Sequence, residues 1–105
     1  ELANNSNKNI LIFFTGKWCS PCRIMKREVF ADNEVMKAID DKFVRVEINI
    51  DDPNSEKLVK QYKFGATPTT IFINTEGKVI DYAVGKVEKT KFLKMLENQK
   101  GFAEK

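Results

Sequence analysis

Histidine is absent from the 105 residues, and cysteine occurs only twice. A structural zinc site wants four cysteine or histidine ligands, so the chain lacks the donors for one. A covalent haem site needs a histidine directly after the second of two paired cysteines, and Arg23 stands there. No apolar stretch approaches the roughly twenty residues that span a bilayer, and the amino end lacks the basic-then-apolar pattern of a leader, so no membrane insertion is expected of this segment. Charge of one sign is not concentrated either. Eighteen Lys and Arg face fifteen Asp and Glu, for a net +3, and the two signs are interleaved, which argues against a nucleic-acid arm or a basic membrane patch. Repeats, low-complexity tracts and linkers are missing. The length fits one domain with one core, and a monomer is expected. The chain opens on Glu1 and not on methionine, so it is either processed or trimmed and an export signal or anchor could have been lost; the compartment is left open, with an exported or periplasmic protein as the leaning expectation and a cytoplasmic one as the alternative.

What is present centres on Trp18-Cys19-Ser20-Pro21-Cys22, which holds both cysteines. Ile10-Leu11-Ile12-Phe13-Phe14 precedes it as an unbroken apolar run, the pattern of a strand buried on both faces. Thr15-Gly16-Lys17 turns the chain, and Pro21 suits the first turn of a helix, where its missing N–H would be unpaired in any case. Two cysteines three apart on one helical turn are within reach of a disulfide. Cys19 is placed at the helix start, where free N–H groups, the helix dipole and Lys17 favour a thiolate. Cys19 is therefore the expected nucleophile and Cys22 the resolving thiol that attacks a mixed disulfide. A purely structural disulfide is the blander alternative, but so small a loop removes little entropy from the unfolded chain. A metallochaperone is disfavoured by the lack of histidine and of a methionine beside the pair. The scattered lysines, among them Lys89, Lys91 and Lys94, read as solvated surface.

Glu1 to Lys8 is polar and is expected to be disordered or a frayed turn, leaving residues 10–100 as the domain and 101–105 as a tail. The helix from Ser20 should bury Met25 and Val29. Phe30-Ala31 interrupts it, and Asp32 or Asn33 can cap a second piece over 34–39. Phe43 to Ile48 alternates, with Val44, Val46 and Ile48 on one face and Arg45 and Glu47 on the other. Asp52-Pro53 opens a helix that buries Leu58, Val59 and Tyr62 before Phe64-Gly65 ends it. Thr67 to Ile73 and Lys78 to Val84 form a hairpin around Asn74-Thr75-Glu76-Gly77. A last helix from Glu88 carries Phe92, Met95 and Leu96, and Gly101 lies where a terminator is expected. The order strand, helix, strand, helix, hairpin, helix predicts an α/β fold: a mixed four-stranded sheet, two strands parallel, flanked by helices on both faces. Right-handed crossovers put the 10–14 strand between the 43–48 strand and the hairpin, with Cys19 just past its carboxyl end.

These residues resemble the thioredoxin-like superfamily from about Ile10 to Leu96. Trp18-Cys19-Ser20-Pro21-Cys22 resembles the family's Trp-Cys-Gly-Pro-Cys, Ala66-Thr67-Pro68-Thr69 its cis-proline loop, and Val84-Gly85 the glycine near its peptide groove. Val29-Phe30-Ala31-Asp32 together with Phe43-Val44 looks more like the thioredoxin-like domains of exported or membrane-linked disulfide reductases than like housekeeping thioredoxin. The resemblance implies a cis Thr67–Pro68 bond opposite the cysteines, with Thr67 backbone groups pairing an extended substrate segment. Trp18, Ser20, Pro21, Thr67, Pro68 and Gly85 would contact substrate, with Trp18 shielding the pair. It implies an enzyme, a thiol–disulfide oxidoreductase that acts on disulfide-containing proteins and is recharged by an upstream thiol reductant. Reduction is the expected direction, and no cofactor is expected beyond the Cys19/Cys22 pair. A redox-sensing or interaction module without turnover is the alternative.

Two departures from the family stand out. The family's buried aspartate on the central strand corresponds to Phe13, and its lysine partner on the next strand to Glu47. Glu47 is thus the expected acceptor of the Cys22 proton, directly or through water, with an ordinary surface ion pair as the competing expectation. The full fold also has a strand and helix before the central strand, and nine residues cannot supply both. The chain is then either a reduced version of the fold or one from which upstream residues were removed.

Overall fold

The structure, a computed structural model, describes residues 8–62 and 66–103. The central strand β1 (Asn9–Thr15) runs parallel to β2 (Phe43–Asn49) and antiparallel to β3 (Thr69–Ile73), which pairs antiparallel with β4 (Val79–Val84). The sheet order is β2-β1-β3-β4. Every residue of β1 except Ile10 is buried, as the unbroken apolar run predicts for an interior strand.

Side chains alternate across the sheet and define two layers. Leu11, Phe13, Phe43 and Phe72 face one way, into a cluster with Cys22, Met25, Val29, Val35, Ile39, Phe92 and Leu96. Ile12, Phe14, Ile48, Ile71 and Ile73 face the other, against Leu58 and Tyr62. Helices α1 (Ser20–Met25), α2 (Asn33–Lys42) and α4 (Lys89–Ala103) therefore cover the first face, and α3 (Glu56–Tyr62) covers the second.

Caps account for where the helices begin. Asp32 Oδ1 accepts the N–H groups of Glu34 and Val35 at 2.9 and 3.2 Å and starts α2. Asp52 Oδ1 accepts from Asn54 at 2.9 Å, with Pro53 leading a short 3₁₀ turn into α3. Asp32 also pairs with Lys89 at 3.0 Å, tying α2 to the first turn of α4. The hydrogen bond from Lys89, with help from the Val35 N–H, holds the Asp32 carboxyl below its usual range.

Three differences from the sequence reading have physical causes. The interruption expected at Phe30-Ala31 is a widened turn: α1 continues as a π-helical segment, Lys26–Phe30, and the chain turns only at Ala31. Arg45 and Glu47 do not stand on a wholly polar face, because Phe43 shares their side of β2 and packs on Phe72 with ring centroids 5.6 Å apart. Gly101 does not end the last helix, which runs on to Ala103. A glycine inside a helix costs about 1 kcal/mol relative to alanine but does not by itself break it. The terminator expected at Phe64-Gly65 falls outside the described residues.

Candidate active site

The turn after β1 delivers Cys19 to the N-cap of α1. There its Sγ accepts the Cys22 N–H at 3.2 Å, so the sulfur occupies the place a serine or aspartate oxygen usually fills. Cys19 and Cys22 form a disulfide, with Cα atoms 5.2 Å apart. Their exposures differ in the sense that division of labour requires: Cys19 keeps 8% and Cys22 none. Only the first of the two residues reaches the surface. The second belongs to the core layer of Phe13 and Met25.

Exposed groups surround Cys19. Trp18 is 85% exposed, with Lys17 Nζ 5.4 Å from its ring centroid. This is not a core tryptophan; it offers an aromatic face to solvent beside the disulfide. Ser20 and Pro21 are exposed on the first turn, and Arg23 Nη2 donates to Ser20 Oγ at 3.1 Å. The Lys17 backbone N–H donates to Asp51 Oδ2, which holds the turn to the loop after β2. Asp51 carried no signal of its own in the sequence, since a loop aspartate is ordinary.

The second side of the site is the segment entering β3. The Thr67–Pro68 peptide is cis. A Cβ at Gly16 would stand 3.6 Å from Thr67 Oγ1, which puts the loop against the turn that carries the cysteines. The Pro68 carbonyl accepts the Gly85 N–H at 2.7 Å, so Gly85 closes the loop from the β4 side. Gly85 holds φ at +97°, a conformation that favours glycine, with open space where a Cβ would go. Gly85→Ala is expected to cost about 1 kcal/mol from backbone strain alone, read as a lowered urea midpoint with unchanged slope.

Glu47 lies apart from this group. It is paired across the sheet with Phe13, on the face that carries α1, and its Oε2 meets Lys26 Nζ at 2.8 Å. Its side chain is 43% exposed. Lys26 follows Cys22 by one helical turn, so the ion pair ties the redox helix to the edge strand. Lys26 was not singled out in the sequence, because the π turn that begins at this residue leaves no signature in residue spacing.

A sheet of this order with a Cys-x-x-Cys disulfide at the start of the helix that follows its central strand defines a domain built around a redox-capable cysteine pair. A family model described as a thioredoxin-like domain matches residues 1–100. Thioredoxin H3 of Arabidopsis thaliana is 38% identical over 100 residues, 95% of this chain and 78% of that protein. The thiol:disulfide interchange protein DsbD 2 of Pseudomonas aeruginosa is 31% identical over 70 residues, 66% of this chain. Among solved structures, a thioredoxin from Thermus thermophilus superposes with a TM-score of 0.82 at 25% identity, over 92% of this chain and 77% of that one. The chain belongs to the thioredoxin-like family. It spans 12% to 17% of the length of the bacterial interchange proteins it matches.

Proposed function

We propose that this domain reduces disulfides in protein substrates and is itself recharged by a thiol donor. The single observation that carries this reading is the asymmetry of the pair: Cys19 keeps 8% of its surface at a helix start while Cys22 is fully enclosed. The Cys19 thiolate attacks a substrate disulfide and expels one substrate thiolate, leaving a Cys19–substrate mixed disulfide. Cys22 then attacks Cys19, the second substrate sulfur departs, and the proton from Cys22 ends on that sulfur. The Cys22 N–H that meets Cys19 Sγ at 3.2 Å favours negative charge on the attacking sulfur. Trp18, Ser20, Pro21, Thr67, Pro68 and Gly85 form the surface on which an extended substrate segment lies, with Thr67 supplying strand-like backbone pairing.

The test is turnover. Reduced protein with excess dithiothreitol is expected to precipitate insulin catalytically. A single stoichiometric oxidation without turnover would mean a redox-responsive module and not an enzyme. The direction is tested by the reduction potential, and a value near the oxidase end of the scale, about −120 mV, would reverse it.

Glu47 is proposed to relay the Cys22 proton through water, taking it up as Cys22 attacks and passing it on to the departing substrate sulfur, from its place beside Lys26 one turn away. A directly placed general base contributes about 10²–10⁴-fold, so a water-mediated one belongs at or below the lower end. Glu47→Gln is expected to slow resolution of a preformed mixed disulfide about tenfold at neutral pH. An unchanged rate leaves Glu47 as an anchoring ion pair only.

A further inference from the structure

Two buried hydroxyls lie beneath the redox helix and are used by nothing described so far. Thr15 is 2% exposed and Thr70 is 0% exposed, and neither Oγ1 has a hydrogen-bond partner among the described residues. Buried hydroxyls are normally paired, because leaving one unmade forfeits its hydration without return. Asn9 and Gln99 also carry unpartnered side-chain atoms. Asn9, at the far end of β1, is about 20 Å from Thr15 at the strand's rise per residue.

Strand alternation fixes where the two hydroxyls face. Leu11 and Phe13 belong to the layer of Cys22 and Met25, so Thr15, the next in that series, faces the same layer. Phe72 belongs to it too, so Thr70 does as well. In register, Thr70 sits directly across from Phe13 on one side, and Glu47 does on the other. Thr15 is the last residue of β1, before the turn whose Gly16 carbonyl accepts the Cys19 N–H. Both hydroxyls thus flank Phe13, on the sheet face that underlies Cys22 and at the end of β1 that leads into the disulfide.

We propose that Thr15 and Thr70 are positioning residues that serve the reduced form of Cys22, in place of an acidic side chain at Phe13. This rests on the disulfide-exchange reading above. While Cys22 is in the disulfide it has no proton to give and its sulfur is not in hydrogen-bond geometry with either hydroxyl, so both go unsatisfied. When the bond opens, Cys22 becomes a thiol or thiolate: the thiolate accepts O–H bonds, and the thiol can donate to a hydroxyl oxygen. The hydroxyls stay neutral throughout. They stabilise the anion that attacks Cys19, while the proton itself passes to the departing substrate sulfur.

The sign follows from linkage. Groups satisfied only in the reduced state favour reduction, so deleting them must make the potential more negative. Thr→Val keeps the shape and removes the hydroxyl, and Thr→Ser keeps the hydroxyl. The Thr15→Val/Thr70→Val protein is expected to show a tenfold smaller equilibrium constant for reduction by glutathione than the unsubstituted protein, which is about 30 mV more negative. Its mixed disulfide should also resolve more slowly, and the double serine variant should stay with the parent. If instead the valine variant gains the same thermal stability in both redox forms and its potential does not move, the hydroxyls are only a burial penalty and the proposal is overturned. The double alanine variant, read the same way, takes over if the valine variant folds poorly. A parent protein that does not equilibrate with glutathione at all would overturn the exchange reading, and this inference with it.

Discussion

Replacing Cys22 by serine is expected to turn the domain into a covalent trap. Cys19 keeps its position at the start of α1 and its path to solvent, so it still opens a substrate disulfide. The mixed disulfide then has no internal thiol to resolve it, since the described structure holds no cysteine outside the pair and the sequence contains only two. Non-reducing electrophoresis of Cys22→Ser with an oxidised protein substrate should show an adduct that dithiothreitol releases. Cys19→Ser removes the accessible sulfur and leaves the enclosed one, and insulin reduction should fall by more than about 10³-fold with no adduct, in the manner of losing a catalytic nucleophile. The pair of results tests the assignment of roles and not merely the need for both cysteines. Adducts from Cys19→Ser and none from Cys22→Ser would exchange the two roles and contradict the burial pattern.

The sequence disclosed the site in proportion to how local its determinants are. Trp18 to Cys22, Pro21 within the first turn and the apolar run before it are all short-range signals, and they locate the disulfide, the N-cap and the central strand. The sheet order followed because two strand–helix units and a hairpin leave few right-handed arrangements. What escaped depends on pairs distant in sequence. Lys26 meets Glu47 only because the π turn and the β1–β2 register bring them together. Asp51 meets the Lys17 N–H across 34 residues of chain. Thr15 and Thr70 read as ordinary strand residues until the layers on either side of the sheet are known, because threonine is equally at home on a solvated face. Phe43 was hidden by its neighbours: two charged residues on its side of an edge strand mask a buried aromatic at the strand's first position.

Phe13 is the position where stability and redox chemistry are most tightly joined, and its truncation carries the largest expected stability effect. The ring is 1% exposed and lies 4.6 Å from Phe30, which in turn contacts Phe92 at 5.3 Å. Phe13→Ala should cost about 3–5 kcal/mol, the usual range for emptying a phenylalanine site in a core. Against a total of about 5–15 kcal/mol for a domain, that is a large share, and a fall in Tm of about 15–25 °C should accompany it. A loss under about 1 kcal/mol would mean that the layer beneath α1 collapses to fill the space. Phe13→Asp separates volume from charge, since it installs a carboxyl between Glu47 and Thr70. Burial disfavours the ionised form, so the folded pKa of the new group lies above its unfolded value. Its contribution is then absent at low pH and becomes unfavourable as pH rises through the unfolded value of about 3.9, worsening until the folded pKa is reached. The aspartate variant should therefore lose stability between about pH 4 and pH 7 relative to the alanine variant, measured by urea unfolding at each pH. Parallel curves for the two variants would show that water reaches position 13, and that the floor beneath Cys22 is not the dry surface on which the role of the two threonines depends.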